Sequence, residues 1–205
     1  MWIRRRAIHL AVAAAAIVLL ATGCESIERM NEDRGRVGLG TELLGTPTAT
    51  ATARLAAAPG SLVEGRVSFA QFDAIVVVRA NFFGLAPNRE YGLHVHEKGD
   101  CSGAAGEGPG GHFNPGGTAH GQPGKPPHHA GDMPNVRTDG EGSVTYMFDT
   151  KAFSITVGPT GVLGRSIIIS RDRDDYRTQP DGNSGAPLAC GFIRAEGGAF
   201  GVPVK

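Results

Sequence analysis

The chain has 205 residues, with 20 Lys and Arg against 20 Asp and Glu, so its formal net charge is zero at neutral pH. That balance implies no basic face of the kind a nucleic-acid partner requires. Its 31 Gly and 13 Pro predict many turns and few helices, while staying below a low-complexity composition.

Met1 to Gly23 has the three parts of an export signal peptide: the basic run Arg4 to Arg6, the apolar run Leu10 to Ala21, and a small-residue end. The apolar run is shorter than the roughly 20 residues that span a bilayer. Leu20-Ala21-Thr22-Gly23-Cys24 resembles a bacterial lipobox. That resemblance implies lipidation of Cys24, a membrane anchor, and an exported chain held on the extracytoplasmic side. Removing the leader leaves 17 basic against 20 acidic residues. Residues 24–47 are polar, with the charged patch Glu28 to Arg34, and read as a lipidated N-terminus and a flexible tether. Such a tether reaches roughly 25–30 Å.

Residues 48–205 read as one domain. Thr48 to Ala57 alternates Thr and Ala, which suits a first strand but also a continued stalk. Leu62 to Phe69 alternates, with Val63, Gly65, Val67 and Phe69 on one side; Ala74 to Phe83 is more uniformly apolar. Pro87-Asn88 marks a turn before the short strand Tyr91 to Val95. Beyond a long Gly/Pro-rich loop, Thr138 to Gly142 is a turn signal before a strand over Ser143 to Phe148. Arg165 to Ser170 reads as a buried strand, Arg171 to Ala186 as a second long loop, and Leu188 to Ile193 as the closing strand. No helix and no internal repeat is apparent. About eight short strands with two long loops predict an all-β fold, an antiparallel sandwich or Greek-key barrel.

Six histidines fall between Tyr91 and Asp132. His94 and His96 are one residue apart in a strand, so both rings project from one face roughly 7 Å apart along the chain and can converge on one ion. His112, His120, His129 and Asp132 follow in the loop, and three imidazoles with one carboxylate suit tetrahedral zinc. His128 reads as a surface histidine. With Cys24 set aside, Cys101 and Cys190 remain; in an oxidising compartment they either pair or stay as buried thiols.

Gly92-Leu93-His94-Val95-His96-Glu97, Gly99-Asp100-Cys101, Gly111-His112-Phe113-Asn114-Pro115, His129-Ala130-Gly131-Asp132, Gly164-Arg165-Ser166 and Ala189-Cys190-Gly191 resemble the Cu/Zn superoxide dismutase family, in family order. The resemblance implies dismutation of superoxide to oxygen and hydrogen peroxide. It implies copper ligands His94 and His96, and His112 as the catalytic imidazolate bridging copper and zinc. His120, His129 and Asp132 match the other zinc ligands, and Cys101 with Cys190 the disulfide. Asp174 matches the carboxylate linking imidazoles of the two sites, with Asp172 and Asp175 as competitors. Subunits of the family pair, so a homodimer is open.

Two positions depart from the family. Ser170 stands where a fourth copper histidine is usual, and no histidine follows His129. Pro187 stands where an arginine usually attracts the anion; Arg171 and Arg173 are the nearby cations that could replace it. Arg165 matches the family's structural arginine. Two readings follow: a superoxide dismutase with weakened or lost activity, or a non-catalytic zinc/copper-binding protein that stores or delivers copper.

Overall fold

A computed structural model describes residues 45–102 and 108–196. The expected signal peptide, Cys24 and residues 24–44 of the tether lie outside the described residues. Thr46–Lys205 segregates as one compact unit.

The described residues form ten strands: β1 (Ala49–Ala57), β2 (Glu64–Phe72), β3 (Ile75–Phe83), β4 (Glu90–Tyr91), β5 (Leu93–His96), β6 (Val136–Arg137), β7 (Tyr146–Thr150), β8 (Ser166–Ser170), β9 (Pro187–Phe192) and β10 (Arg194–Ala195). Among the described residues there is no helix. Every strand pairing is antiparallel, in the order β5-β8-β9-β1-β2-β3-β7, with β10 also on β1 and a separate β4–β6 ribbon. The chain leaves β3, crosses to the far edge at β5, returns to β3 through β7, and crosses again to β8. These long returns are Greek-key crossovers, and the fold is the all-β class expected.

The register follows the side-chain period of two. On β3, Val76, Val78, Ala80 and Phe82 are buried while Arg79, Asn81 and Phe83 are exposed. The Thr/Ala run is a strand at the sheet's centre, paired with β2, β9 and β10, and Ala51, Ala53 and Leu55 enter the core. The expected Tyr91 to Val95 strand is split at Gly92 into β4 and β5. β6 and β10, two residues each, are too short to leave a periodic signal.

Two core residues come from the long loop itself: Phe113 and Met133 are buried with Leu93, Val95, Ile167 and Ile169. Burying each contributes about 1.5–3 kcal/mol, so the loop is anchored from beneath. Arg165 caps the arrangement. Its guanidinium lies 3.7 Å from the Phe113 ring centroid and donates to the carbonyls of Glu97 and Gly161.

Candidate metal centre

β5 sorts its residues by face. Leu93 and Val95 pair with Ile169 and Ile167 toward the core, while His94 and His96, opposite Ile168 and Ser166, point the other way. The loop then docks on the remaining edge of β5. Glu97 N donates to Gly111 O (3.0 Å), Phe113 N to Val95 O (2.8 Å), Val95 N to Gly131 O (3.0 Å) and Gly131 N to Phe113 O (2.8 Å). This improvised ladder sets His112 opposite His96 and Asp132 opposite His94. Gly131 is required there, because a Cβ would overlap Val95 O and stand 3.0 Å from Phe113 N.

His112, His120, His129 and Asp132 are all buried, and one donor atom from each lies within 4.8 Å of the others. Asp132 Oδ1 is 2.9 Å from His112 Nδ1, 3.1 Å from His120 Nδ1 and 3.3 Å from His129 Nδ1. Its Oδ2 accepts the backbone N–H groups of His129 (2.8 Å) and Gly121 (3.2 Å). On the other side, the His112 ring lies 3.9 Å from that of His94 and 5.1 Å from that of His96. His96 Nδ1 faces Gly110 O at 2.8 Å, which leaves its Nε2 for another partner.

Among the described residues three buried nitrogens make no well-aligned hydrogen bond: Nδ1 of His94, and Nδ1 of His120 and His129, which only approach Asp132 Oδ1. Leaving a buried polar atom unpaired costs about 1–3 kcal/mol. Those of His120 and His129 converge beside the Asp132 carboxylate and fit a cation, and with His112 they give three imidazoles and one carboxylate, a tetrahedral zinc set; the His94 nitrogen lies outside that cluster.

Asp174 is the carboxylate that joins the two sides. Its Oδ2 accepts from His94 Nε2 (2.8 Å), and its Oδ1 from His120 Nε2 (2.9 Å) and Tyr176 N (2.7 Å). Each imidazole thereby directs Nδ1 inward, as an outer carboxylate does for a metal-bound histidine. Asp172 and Asp175 do not reach the rings. Asp172 takes the Arg171 guanidinium, and Asp175 caps the turn at Arg177 and Thr178.

The charge states suit ligation. Burial, then the neighbouring His112, lowers His94 to about 4 and His96 to about 3, so both are neutral at pH 7. Burial also lowers His129. Burial opposes ionisation of Asp132 and Asp174, but their imidazole hydrogen bonds win and hold both well below the usual carboxylate range. At His120 burial is likewise outweighed, by Asp132 and Asp174, and the ring rises to about 9. With Nε2–H given to Asp174, its second proton faces Asp132 and is the one an ion must displace.

Ser170 is buried at the end of β8, and its Cα partner across the ladder is Pro187 at the start of β9, beside a bulge at Ile169/Ser170. The two departures from the family are therefore neighbours. Arg171 N donates to Ala186 O, and its Nε and Nη2 both lie 3.0 Å from Asp172 Oδ2, so its charge is already paired. Arg173 is exposed. His128 is half-buried, its Nδ1 facing the His129 carbonyl at 2.7 Å, and lies outside the His/Asp cluster. Cys101 and Cys190 form a disulfide that closes 89 residues.

Asn135, Tyr176 and Gln179 were not among the sequence candidates, although all three hydrogen-bond within this network. Polar loop residues carry no periodicity that would single them out.

A buried His/Asp cluster on an antiparallel all-β scaffold defines a metal-binding protein. Residues 63–193 match the family model described as copper/zinc superoxide dismutase. The chain belongs to the Cu/Zn superoxide dismutase family. It is similar to superoxide dismutase [Cu-Zn] 2 of Aquifex aeolicus, 36% identical over 64% of this chain and 80% of that one. It is 42% identical to superoxide dismutase [Cu-Zn] of Deinococcus radiodurans, over 51% of this chain and 63% of the relative. It is also 34% identical to the copper chaperone for superoxide dismutase of Rattus norvegicus, over 69% of this chain and 52% of the relative. Among solved structures, the clock protein EA4 is similar at a TM-score of 0.63 and 36% identity, covering 73% of this chain and 95% of that one.

Proposed function

We propose that the chain is an exported, lipid-anchored member of this family that holds zinc firmly and copper in a three-histidine site, with superoxide dismutation as its reaction at a reduced rate. The carrying observation is the buried cluster of His112, His120, His129 and Asp132, with unpartnered Nδ1 atoms at His120 and His129 within it and at His94, whose ring stacks on that of His112. In this reading His112, His120, His129 and Asp132 hold zinc, while His94 Nδ1, His96 Nε2 and His112 hold copper. Copper bound there supplies one-electron exchange with superoxide. His112 spans the two sides, so its imidazole can hold and release a proton between them. Asp174 keeps His94 and His120 in the tautomers that face the ions. Tethering through Cys24 rests on the lipobox resemblance.

The reduced rate follows from Ser170 and Pro187. Ser170 offers a weak hydroxyl where Cu(II) favours a fourth strong donor in a tetragonal field, whereas Cu(I) tolerates three ligands. Pro187 brings no charge, and the Arg171 charge is spent on Asp172, so the field that would steer an anion is weak. The same pair of residues favours a second reading, in which the site retains copper for storage or delivery without turnover. The test is metal content by mass spectrometry on oxidised protein loaded with zinc and copper, with a superoxide assay on the same sample. One zinc and one copper with chelator-sensitive activity supports the enzyme; copper without turnover supports storage; no zinc overturns both.

A further inference from the structure

Two carboxamide side chains, Asn135 three residues after Asp132 and Gln179 on the second long loop, grip the backbone of this site. Asn135 accepts the N–H of Asp174 on Oδ1 (2.8 Å) and donates Nδ2–H to the Asp174 carbonyl (2.9 Å). Gln179 does the same to His120, accepting its N–H on Oε1 (2.9 Å) and donating Nε2–H to its carbonyl (2.9 Å). Each amide satisfies both main-chain groups of one residue, as a neighbouring strand would. The grips run in opposite directions between the same two loops. Asn135, on the metal loop, holds Asp174 on the second loop across 39 positions; Gln179, on the second loop, holds His120 on the metal loop across 59.

We propose that Asn135 and Gln179 are a reciprocal pair of positioning residues that lock the Asp174 carboxylate and the His120 ring against each other, and so fix which nitrogen His94 and His120 offer to metal. The proposal rests on the metal-site reading above, but concerns groups present with or without an ion.

Geometry makes the lock necessary. Asp174 reaches three donors with one short side chain, and a small rotation of its backbone would lose the His94 or His120 contact. Tyr176 closes a ring with Asn135: its N–H reaches Asp174 Oδ1 (2.7 Å), and its hydroxyl accepts Asn135 N–H (2.8 Å). Holding Tyr176 at φ 59°, an unfavourable conformation for a side-chain-bearing residue, is what lets both ends reach. The second loop also passes too close for a side chain at Gly182, where a Cβ would overlap Asp174 Oδ1 and lie 2.6 Å from His120 Nε2. Gln179 has the complementary task. His120 stands in a Gly/Pro-rich stretch with few backbone partners, and the amide supplies them from across the cleft.

The two residues give different signatures, which a generally loosened fold would not. The experiment follows solvent exchange of the His94 and His120 Nε2–H protons by NMR on the full chain labelled with ¹⁵N-histidine, without and with zinc. Gln179→Ala is expected to speed exchange at His120 at least tenfold and leave His94 unchanged. Asn135→Ala is expected to speed both, because Asp174 serves both rings. Gln179→Glu keeps the acceptor for His120 N–H but loses the donor, and should fall between wild type and Gln179→Ala. Zinc affinity should drop about 10-fold or more in each alanine variant, as outer-partner loss does elsewhere. Unchanged exchange at both rings, or equal acceleration at both in the two variants, overturns the proposal. If wild-type protein fails to bind zinc while the exchange pattern holds, the metal reading falls and the positioning role stands.

Discussion

Asp174→Asn separates the two sides of the centre by sign as well as size. The aspartate uses Oδ1 for two donors, His120 Nε2 (2.9 Å) and Tyr176 N (2.7 Å), and Oδ2 for one, His94 Nε2 (2.8 Å). An asparagine has one acceptor oxygen and one NH2 group. The oxygen settles at the Oδ1 position, where it keeps two hydrogen bonds, and the NH2 lands against His94. Two donors then face each other. The collision is relieved if His94 moves its proton to Nδ1, the nitrogen assigned to copper. Zinc-side His120 keeps its partner and loses only the negative charge behind it. Outer-partner loss costs about 10–100-fold in metal affinity. Copper should fall toward the 100-fold end, about 2.7 kcal/mol, and zinc by about 10-fold, about 1.4 kcal/mol. The zinc part should lower the zinc-induced rise in Tm by about 3–6 °C, at roughly 2–4 °C per kcal/mol for a domain of this size. Chelator competition for zinc, then copper titration of the zinc-loaded protein, reads both. A larger loss of zinc than copper, or no change in either, refutes this account of Asp174.

Other perturbations probe the remaining parts. Ser170→His should raise copper affinity and superoxide turnover, and Pro187→Arg should add further rate. Because these residues are cross-strand partners, their effects should be non-additive in a double-mutant cycle. If neither variant changes copper affinity or rate, the placement of these two positions in the copper site is wrong. Replacing Cys101 and Cys190 by serine should cost about 4–5 kcal/mol in denaturant unfolding, from an 89-residue loop in the chain-entropy model; a loss under about 1 kcal/mol would show that the loop is already restrained otherwise. Zinc at 1,000 times its Kd should stabilise the fold by about 4 kcal/mol. His129→Ala should abolish that increment; its persistence would count against the ligand set.

Much of the scaffold is readable from period-two alternation and turn residues, and the histidine spacing alone marks the metal stretch. The reason is physical: strand faces and turns are local properties. What stays hidden depends on pairings between distant segments. Asp174 is preferred to its competitors Asp172 and Asp175 through the family resemblance alone, whereas the hold of Asn135 on its backbone and of Tyr176 N–H on its Oδ1 turns that carboxylate toward the rings. Asn135 and Gln179 look like ordinary solvated loop residues until the fold brings them to partners 39 and 59 positions away. The anchoring of the metal loop was equally hidden, since Phe113 and Met133 sit in a Gly/Pro-rich region without periodicity yet enter the core.

The position of the defect argues that zinc and copper binding are energetically unequal here. The side-chain hydrogen bonds that orient the zinc-side residues run through Asp132, Asp174, Gln179 and Asn135, and none of these involves Ser170 or Pro187. The zinc cluster can therefore form with Ser170 in place of an imidazole. The copper side lacks that independence. His112 is positioned by its bond to Asp132, and His94 by Asp174, the carboxylate that also holds His120. Ordering the zinc ligands thus orders two of the three copper histidines, while ordering the copper side leaves His129 untouched. Zinc should bind first and raise copper affinity, and linkage requires copper to raise zinc affinity by the same factor. Copper titrations with and without zinc measure that factor; a value of one would mean that Asp174 and His112 connect the sites in space but not in free energy.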